Sequence, residues 1–144
     1  LYYNIGFVYY SQGDYAEALK YYQKALAIYE RVLGENHPLT ATLYNNIGSV
    51  YYSQGNYVDA LENYEKTLAI EENVLGENHP DTATSYSYIG TVFYSEGDYA
   101  KALEYYQKAL LIFEKALGEN HSYTQIVTGN IETIRQRMQS QASE

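Results

Sequence analysis

The stretch Leu33–Pro38, LGENHP, returns as LGENHP at Leu75–Pro80 and, with serine in the last place, as LGENHS at Leu117–Ser122. Each step is 42 residues. Residues 1–42 laid on 43–84 agree at 30 of 42 positions, and 43–84 laid on 85–126 agree at 22 of 42. Two agreements at one period mark a tandem array, to be read as repeats before anything else. The repeats are 1–42, 43–84 and 85–126, and residues 127–144 begin a fourth that stops halfway. No linker or low-complexity stretch interrupts them, so 1–144 reads as a single array.

On either side of the hexapeptide lie two helices in each repeat. Pro38 and Pro80 suit the first helical position, and His37 and His79 before them lie outside the helix or cap it. This first helix, A, runs to Gln12, Gln54 and Glu96, where Gly13, Gly55 and Gly97 supply a favoured helix stop. Asp14, Asn56 and Asp98 follow, placed to accept from the free amides of a second helix, B. Helix B runs through Leu33, Leu75 and Leu117 and stops at Gly34, Gly76 and Gly118. Its apolar residues keep helical spacing, as in Ala18, Tyr22, Ala25 and Ile28. No stretch shows strand alternation. The expected class is all-α.

Composition narrows the function. With 46% apolar and 16% aromatic residues the chain has enough to bury and is not disordered by composition. Nine basic against 18 acidic residues leave a net charge of −9, which repels phosphate backbones and anionic lipid, so neither nucleic acid nor membrane is expected as a partner. No leader opens the sequence and no apolar run reaches the roughly 18 residues of a spanning helix; a cytoplasmic location is expected. There is no cysteine, hence no disulfide and no thiolate ligand or nucleophile. His37, His79 and His121 recur once per repeat, and equivalent atoms on successive repeats stand about 10 Å apart, too far for ligands that must lie about 2 Å from one ion. Glu35, Glu77 and Glu119 sit in connectors, and Glu30, Glu62, Glu72 and Glu104 on the outer face of helix B read as solvated. No phosphate-cradling glycine motif and no Ser/His/Asp set appears. The expectation is a protein without catalytic residues, metal or cofactor.

The spacing of small and large residues points to a family. The first repeat shows Tyr2, Ile5, Gly6, Tyr9, Gly13, Tyr15, Ala18, Tyr22 and Ala25. The second shows Tyr44, Ile47, Gly48, Tyr51, Gly55, Tyr57, Ala60 and Tyr64, with Thr67 last. The third shows Tyr86, Ile89, Gly90, Phe93, Gly97, Tyr99, Ala102, Tyr106 and Ala109. Over essentially the whole chain this resembles the tetratricopeptide repeat, and the 42-residue unit with its LGENHP connector looks like the longer kind found in kinesin light chains. The resemblance implies a right-handed superhelix of antiparallel helix pairs whose A helices line a concave groove. Small residues at Gly6, Gly48 and Gly90 on helix A, and at Ala18, Ala60 and Ala102 on helix B, should let paired axes approach closely.

The same resemblance places the groove lining at Tyr3, Asn4, Phe7 and Tyr10 in the first repeat, and at Asn45, Asn46, Ser49 and Tyr52 in the second. In the third it falls on Ser87, Tyr88, Thr91 and Tyr94, and the last helix adds Asn130, Thr133 and Arg137. This lining is neutral, hydroxyl-rich and aromatic, suited to an extended peptide held by its backbone. The carboxylate clamp of chaperone-binding members would fall on Tyr3, Phe7, Asn46, Thr84 and Tyr88, of which only Asn46 matches. The Asn45-Asn46 pair resembles the asparagines of kinesin light chains, without their basic companions. The expected function is a protein-interaction module or scaffold for a protein or peptide ligand. The rival is a structural spacer that associates end to end, because Leu1, Ile5 and Val8 form an apolar stripe on the first helix with nothing before it. At the other end a capping helix, 122–141, should dock through Val127, Ile131 and Ile134 and turn Thr128, Glu132, Arg135 and Gln139 outward.

Overall fold

The connector hexapeptide stops one helix and starts the next. Gly34 and Gly118 close helices at φ of 93° and 88°, a region that favours glycine. The carbonyls of Gly34, Gly76 and Gly118 accept from the hydroxyls of Thr40, Thr82 and Thr124, at 2.9, 2.8 and 2.8 Å. His37, His79 and His121 cap the following helices. Each Nδ1 accepts the amide two residues on, from Leu39, Asp81 and Tyr123, at 3.1, 3.0 and 3.1 Å. The recurring histidine is thus an N-cap, satisfying an amide that the helix cannot pair internally.

The computed structural model describes residues 1–144 as seven α-helices: α1 Tyr2–Ser11, α2 Tyr15–Leu33, α3 Pro38–Ser53, α4 Tyr57–Val74, α5 Pro80–Ser95, α6 Tyr99–Leu117 and α7 Ser122–Ala142. They form two compact units, Leu1–Val74 and Leu75–Glu144. The side chains of Asp14 and Asp98 cap α2 and α6 as the sequence predicts, accepting from Glu17 and Lys101.

In the first unit, Ala18, Tyr22 and Ala25 of α2 form a core with Leu43, Ile47 and Val50 of α3. These six are at most 3% exposed, and full burial of a Leu, Ile or Val contributes about 1.5–3 kcal/mol. Tyr3 lies against Tyr22 and Tyr10 against Tyr15, with ring centroids 5.8 and 5.7 Å apart, so α1 and α2 run antiparallel. Thr67 stands where the other B helices have alanine. Its hydroxyl donates to the carbonyls of Ala41 and Asn63, both at 3.1 Å, so the buried polar group is satisfied. In the second unit Ala102, Tyr106, Ala109, Ile112 and Phe113 of α6 pack with Val127, Ile131 and Ile134 of α7.

A side chain at Gly6, Gly48 or Gly90 would first meet the ring of Tyr22, Tyr64 or Tyr106 on helix B, and at Gly48 the Ala60 carbonyl oxygen also lies close, at 3.3 Å. Two details depart from the sequence reading. Ile28 is 37% exposed, whereas its equivalents Ile70 and Ile112 are buried. Glu30, read as solvated, is half-buried and accepts a hydrogen bond from the Tyr44 hydroxyl at 2.5 Å; helix period reports the face a residue lies on, not the partner that reaches it. Glu62 and Glu104 do lie at the surface, facing Lys66 and Lys108 one turn on.

Candidate functional site

In the first unit several of the residues assigned to the groove are engaged within the protein. Asn46 Nδ2 donates to the Tyr3 hydroxyl at 3.1 Å, joining α3 to α1. Tyr10 and Ser53 share a hydrogen bond at 3.3 Å, and Ser49 shares one with Tyr64 of α4 at 2.9 Å. Tyr52 lies against Tyr57, with ring centroids 5.6 Å apart. Asn4 is exposed and Phe7 is 55% exposed. The carboxamide oxygen of Asn45 is buried with no hydrogen-bond partner.

Two phenols of this unit, Tyr22 and Tyr44, hold their protons more tightly than usual. Burial first, then Tyr3 and Tyr10, push Tyr22 up to about 12 from an ordinary value of 10.0. Tyr44 is raised too, by burial first, then by its hydrogen bond to Glu30 and the charges of Glu30 and Glu35. A phenol whose folded value is raised favours folding below its unfolded value, and that contribution fades as pH rises above it. The urea midpoint should therefore hold up to about pH 9, then fall between about pH 10 and 12. Tyr22→Phe should flatten part of that fall. Equal midpoints at pH 8 and pH 11 would contradict this account.

The second unit holds an open cavity of about 300 Å3 between α5 and α7. Ser87, Tyr88, Thr91 and Asn130, the residues that the family resemblance assigns to the groove, line it. Thr84, Phe113, Tyr123, Ile126 and Val127 complete the wall. Thr91 also bonds to Tyr106, at 2.6 Å. Tyr94 does not line the cavity; the Arg137 guanidinium lies over its ring at 5.5 Å. Thr133 is exposed and bonds to the Gly129 carbonyl within its own helix. Sequence reasoning passed over Phe113, Tyr123 and Ile126 as lining residues, although a signal existed. They stand where the second repeat has Glu71, Asp81 and Thr84, so the third repeat departs from its predecessor by becoming apolar at one corner. No three His, Cys, Asp or Glu residues gather in a way that could hold a metal ion, and no helix is long and apolar enough to cross a membrane.

Helix pairs that meet through Gly6, Gly48 and Gly90 against a helix-B tyrosine, once per 42 residues, are the shared geometry of the array. The family model for the tetratricopeptide repeat matches residues 1–70, 40–115 and 88–144. The chain belongs to the tetratricopeptide repeat family. No curated protein sequence matches this TPR chain. Among solved structures it is similar to BtubC (BKLC) from P. vanneervenii, with a TM-score of 0.78, 19% identity, and coverage of 96% of this chain and 63% of that one. A Podosopora anserina protein assigned as a kinesin light chain with nearly identical TPR-like repeats gives a TM-score of 0.82 at 21% identity, covering 94% and 64%. The TPR2AB domain of yeast Sti1, in complex with pHSP90, gives 0.75 at 19% identity, covering 98% and 47%. These likenesses show the fold, an all-α arrangement of the TPR kind with kinesin-light-chain-like neighbours. The TPR chain spans under two thirds of the length of BtubC and of the Podosopora protein.

Proposed function

We propose that this TPR chain is a non-enzymatic protein-interaction module whose A helices hold an extended peptide segment on their groove face. The observation that carries the reading is the cavity of the second unit. Its wall combines Tyr88, Tyr123 and Ile126 with the hydroxyls of Thr84, Ser87 and Thr91 and the amide of Asn130, and contains no charged side chain. A charged ligand side chain entering it would lose water and gain no counter-charge; an aliphatic or aromatic one gains burial. Asn130 offers both a donor and an acceptor, the pair needed to hold a peptide unit whatever side chain it carries. The side chain that enters is accordingly uncharged, and the rest of the segment neutral or mildly basic, since the chain carries a net charge of −9. The complex of the yeast Sti1 domain with pHSP90 supports an interaction role for a chain of this fold.

Selection from a displayed random-peptide library would supply a probe, and its affinity would then be measured against variants. One lost hydrogen bond costs about 0.5–1.5 kcal/mol, a factor of roughly 2 to 10 in affinity. Asn130→Ala and Tyr88→Ala should weaken binding by at least that much while leaving the helical signal intact. Asn46→Ala and Tyr52→Ala should weaken any probe that also reaches the first unit. Unchanged affinity in all four variants would remove the A-helix face as the binding surface.

A further inference from the structure

The first unit contains, in its own side chains, a template for the cavity of the second. Tyr3 on α1 lies against Tyr22 of α2, with ring centroids 5.8 Å apart, and packs on the core that includes Leu43. Its hydroxyl accepts a hydrogen bond from Nδ2 of Asn46 at 3.1 Å. Two repeats on, 84 residues later, the places of Tyr3, Tyr22, Leu43 and Asn46 hold Ser87, Tyr106, Val127 and Asn130. Three of the four keep their character, but the ring of Tyr3 is gone. Ser87 is too short to reach as a tyrosine does, and its hydroxyl donates instead to the Ala83 carbonyl of its own helix at 3.2 Å. Ser87, Val127 and Asn130 are among the residues that line the open cavity of about 300 Å3. Where the first unit has a tyrosine ring, the second has a space.

We propose that this cavity is the seat of a tyrosine side chain supplied by the ligand, which takes the place that Tyr3 fills in the first unit. The assignment rests on the reading of the A-helix face as a peptide surface, and names the side chain that the peptide brings. Phe113 and Val127, 3% and 2% exposed, give a ring an apolar floor. Tyr123 and Ile126 stand where the first unit has Leu39 and Thr42 and add an apolar rim. Hydrogen bonding then selects a phenol among the aromatic side chains. Thr84 and Ser87 give their own protons to the carbonyls of Pro80 and Ala83, so their oxygens face a guest as acceptors. Asn130 Nδ2 carries two N–H groups; one suffices for the role that Asn46 plays, and the other is left for the ligand backbone. A phenol oxygen accepts from Asn130, and its proton goes to Thr84 or Ser87. An indole only donates, and a phenylalanine ring does neither. Each would leave polar groups of the wall stripped of water and unpaired, which costs affinity.

The test titrates the whole chain with two uncharged probes, N-acetyltyrosine amide and N-acetylphenylalanine amide, while nuclear magnetic resonance follows the Val127 backbone amide. The tyrosine probe should shift that signal saturably and bind roughly 2- to 10-fold more tightly than the phenylalanine probe, the worth of one hydrogen bond. In Asn130→Ala the ratio should fall towards one. Ser87→Tyr should fill the cavity from within, so that the urea midpoint of the second unit rises and the tyrosine probe no longer binds. Equal affinity for the two probes, binding of neither, or a Ser87→Tyr midpoint at or below that of the parent overturns the proposal. Peptides selected on the chain separate the seat from the surface it belongs to. If they weaken with Tyr88→Ala but lose nothing when their own tyrosines are changed to phenylalanine, the peptide surface stands and the tyrosine seat falls. If the probes behave as expected while no A-helix variant weakens a selected peptide, the seat stands and the peptide surface falls.

Discussion

Replacing Ile131 and Ile134 together by aspartate unfolds the second unit. Both side chains are at most 3% exposed and meet Ala102, Tyr106, Ala109, Ile112 and Phe113. Each substitution forfeits about 1.5–3 kcal/mol of apolar burial, and a carboxylate held there without a partner costs several more. Against a total stability on the order of 5–15 kcal/mol for a domain, two such losses leave no folded state to populate. A denaturant titration followed by helical signal should show the second unit's share of the transition lost or displaced almost to zero denaturant. Ile126→Asp is the control, on the same helix but 60% exposed; it should keep the midpoint near that of the parent while placing a charge in the wall of the cavity. A midpoint unchanged in the double variant would mean that α7 is not part of the cooperative unit.

Gly48→Ala destabilises the array and Gly129→Ala stabilises it, although both glycines lie inside helices. A β-carbon at Gly48 would stand 2.9 Å from two ring atoms of Tyr64 and 3.3 Å from the Ala60 carbonyl oxygen. Tyr64 is only 3% exposed and its hydroxyl is engaged by Ser49, so the ring has little room to yield. Overpacking of this kind costs about 1–3 kcal/mol, more than cancelling the roughly 1 kcal/mol that alanine gains over glycine in a helix. At Gly90 the corresponding approach is 3.2 Å, and the loss should be smaller. Nothing lies within 4 Å of a β-carbon at Gly129, so the helix gain of about 0.8–1 kcal/mol stands alone there. Urea midpoints should fall in the order Gly129→Ala, parent, Gly90→Ala, Gly48→Ala. A Gly48→Ala chain as stable as the parent would show that the close helix approach is not required.

Much of this architecture is legible in the residues because it is set by interactions a few positions apart. The helix boundaries follow from Gly34, Pro38 and Asp14, each acting on its own turn of backbone. The 42-residue repeat transfers any reading of one unit to the next. The two-faced character of α7 can be read from Val127, Ile131 and Ile134 against Glu132 and Arg135, since helical period alone separates the two stripes. The groove lining is different: the resemblance to the tetratricopeptide repeat proposed it, and period alone does not.

Which partner each of those residues meets is a different kind of fact. Tyr3 and Asn46 lie 43 positions apart in the chain and hydrogen-bond across two helices; Glu30 is engaged by Tyr44 of the next helix. The close approach of Gly48 is to the ring of Tyr64 as well as to the Ala60 carbonyl oxygen. The cavity forms where Phe113 of α6 and Tyr123, in the first turn of α7, reach the same space as Tyr88 on α5. Period and capping fix directions along one helix. Distances between side chains of different helices depend on how closely the axes pack and on the rotamers that this packing leaves free, and those are properties of the assembled chain.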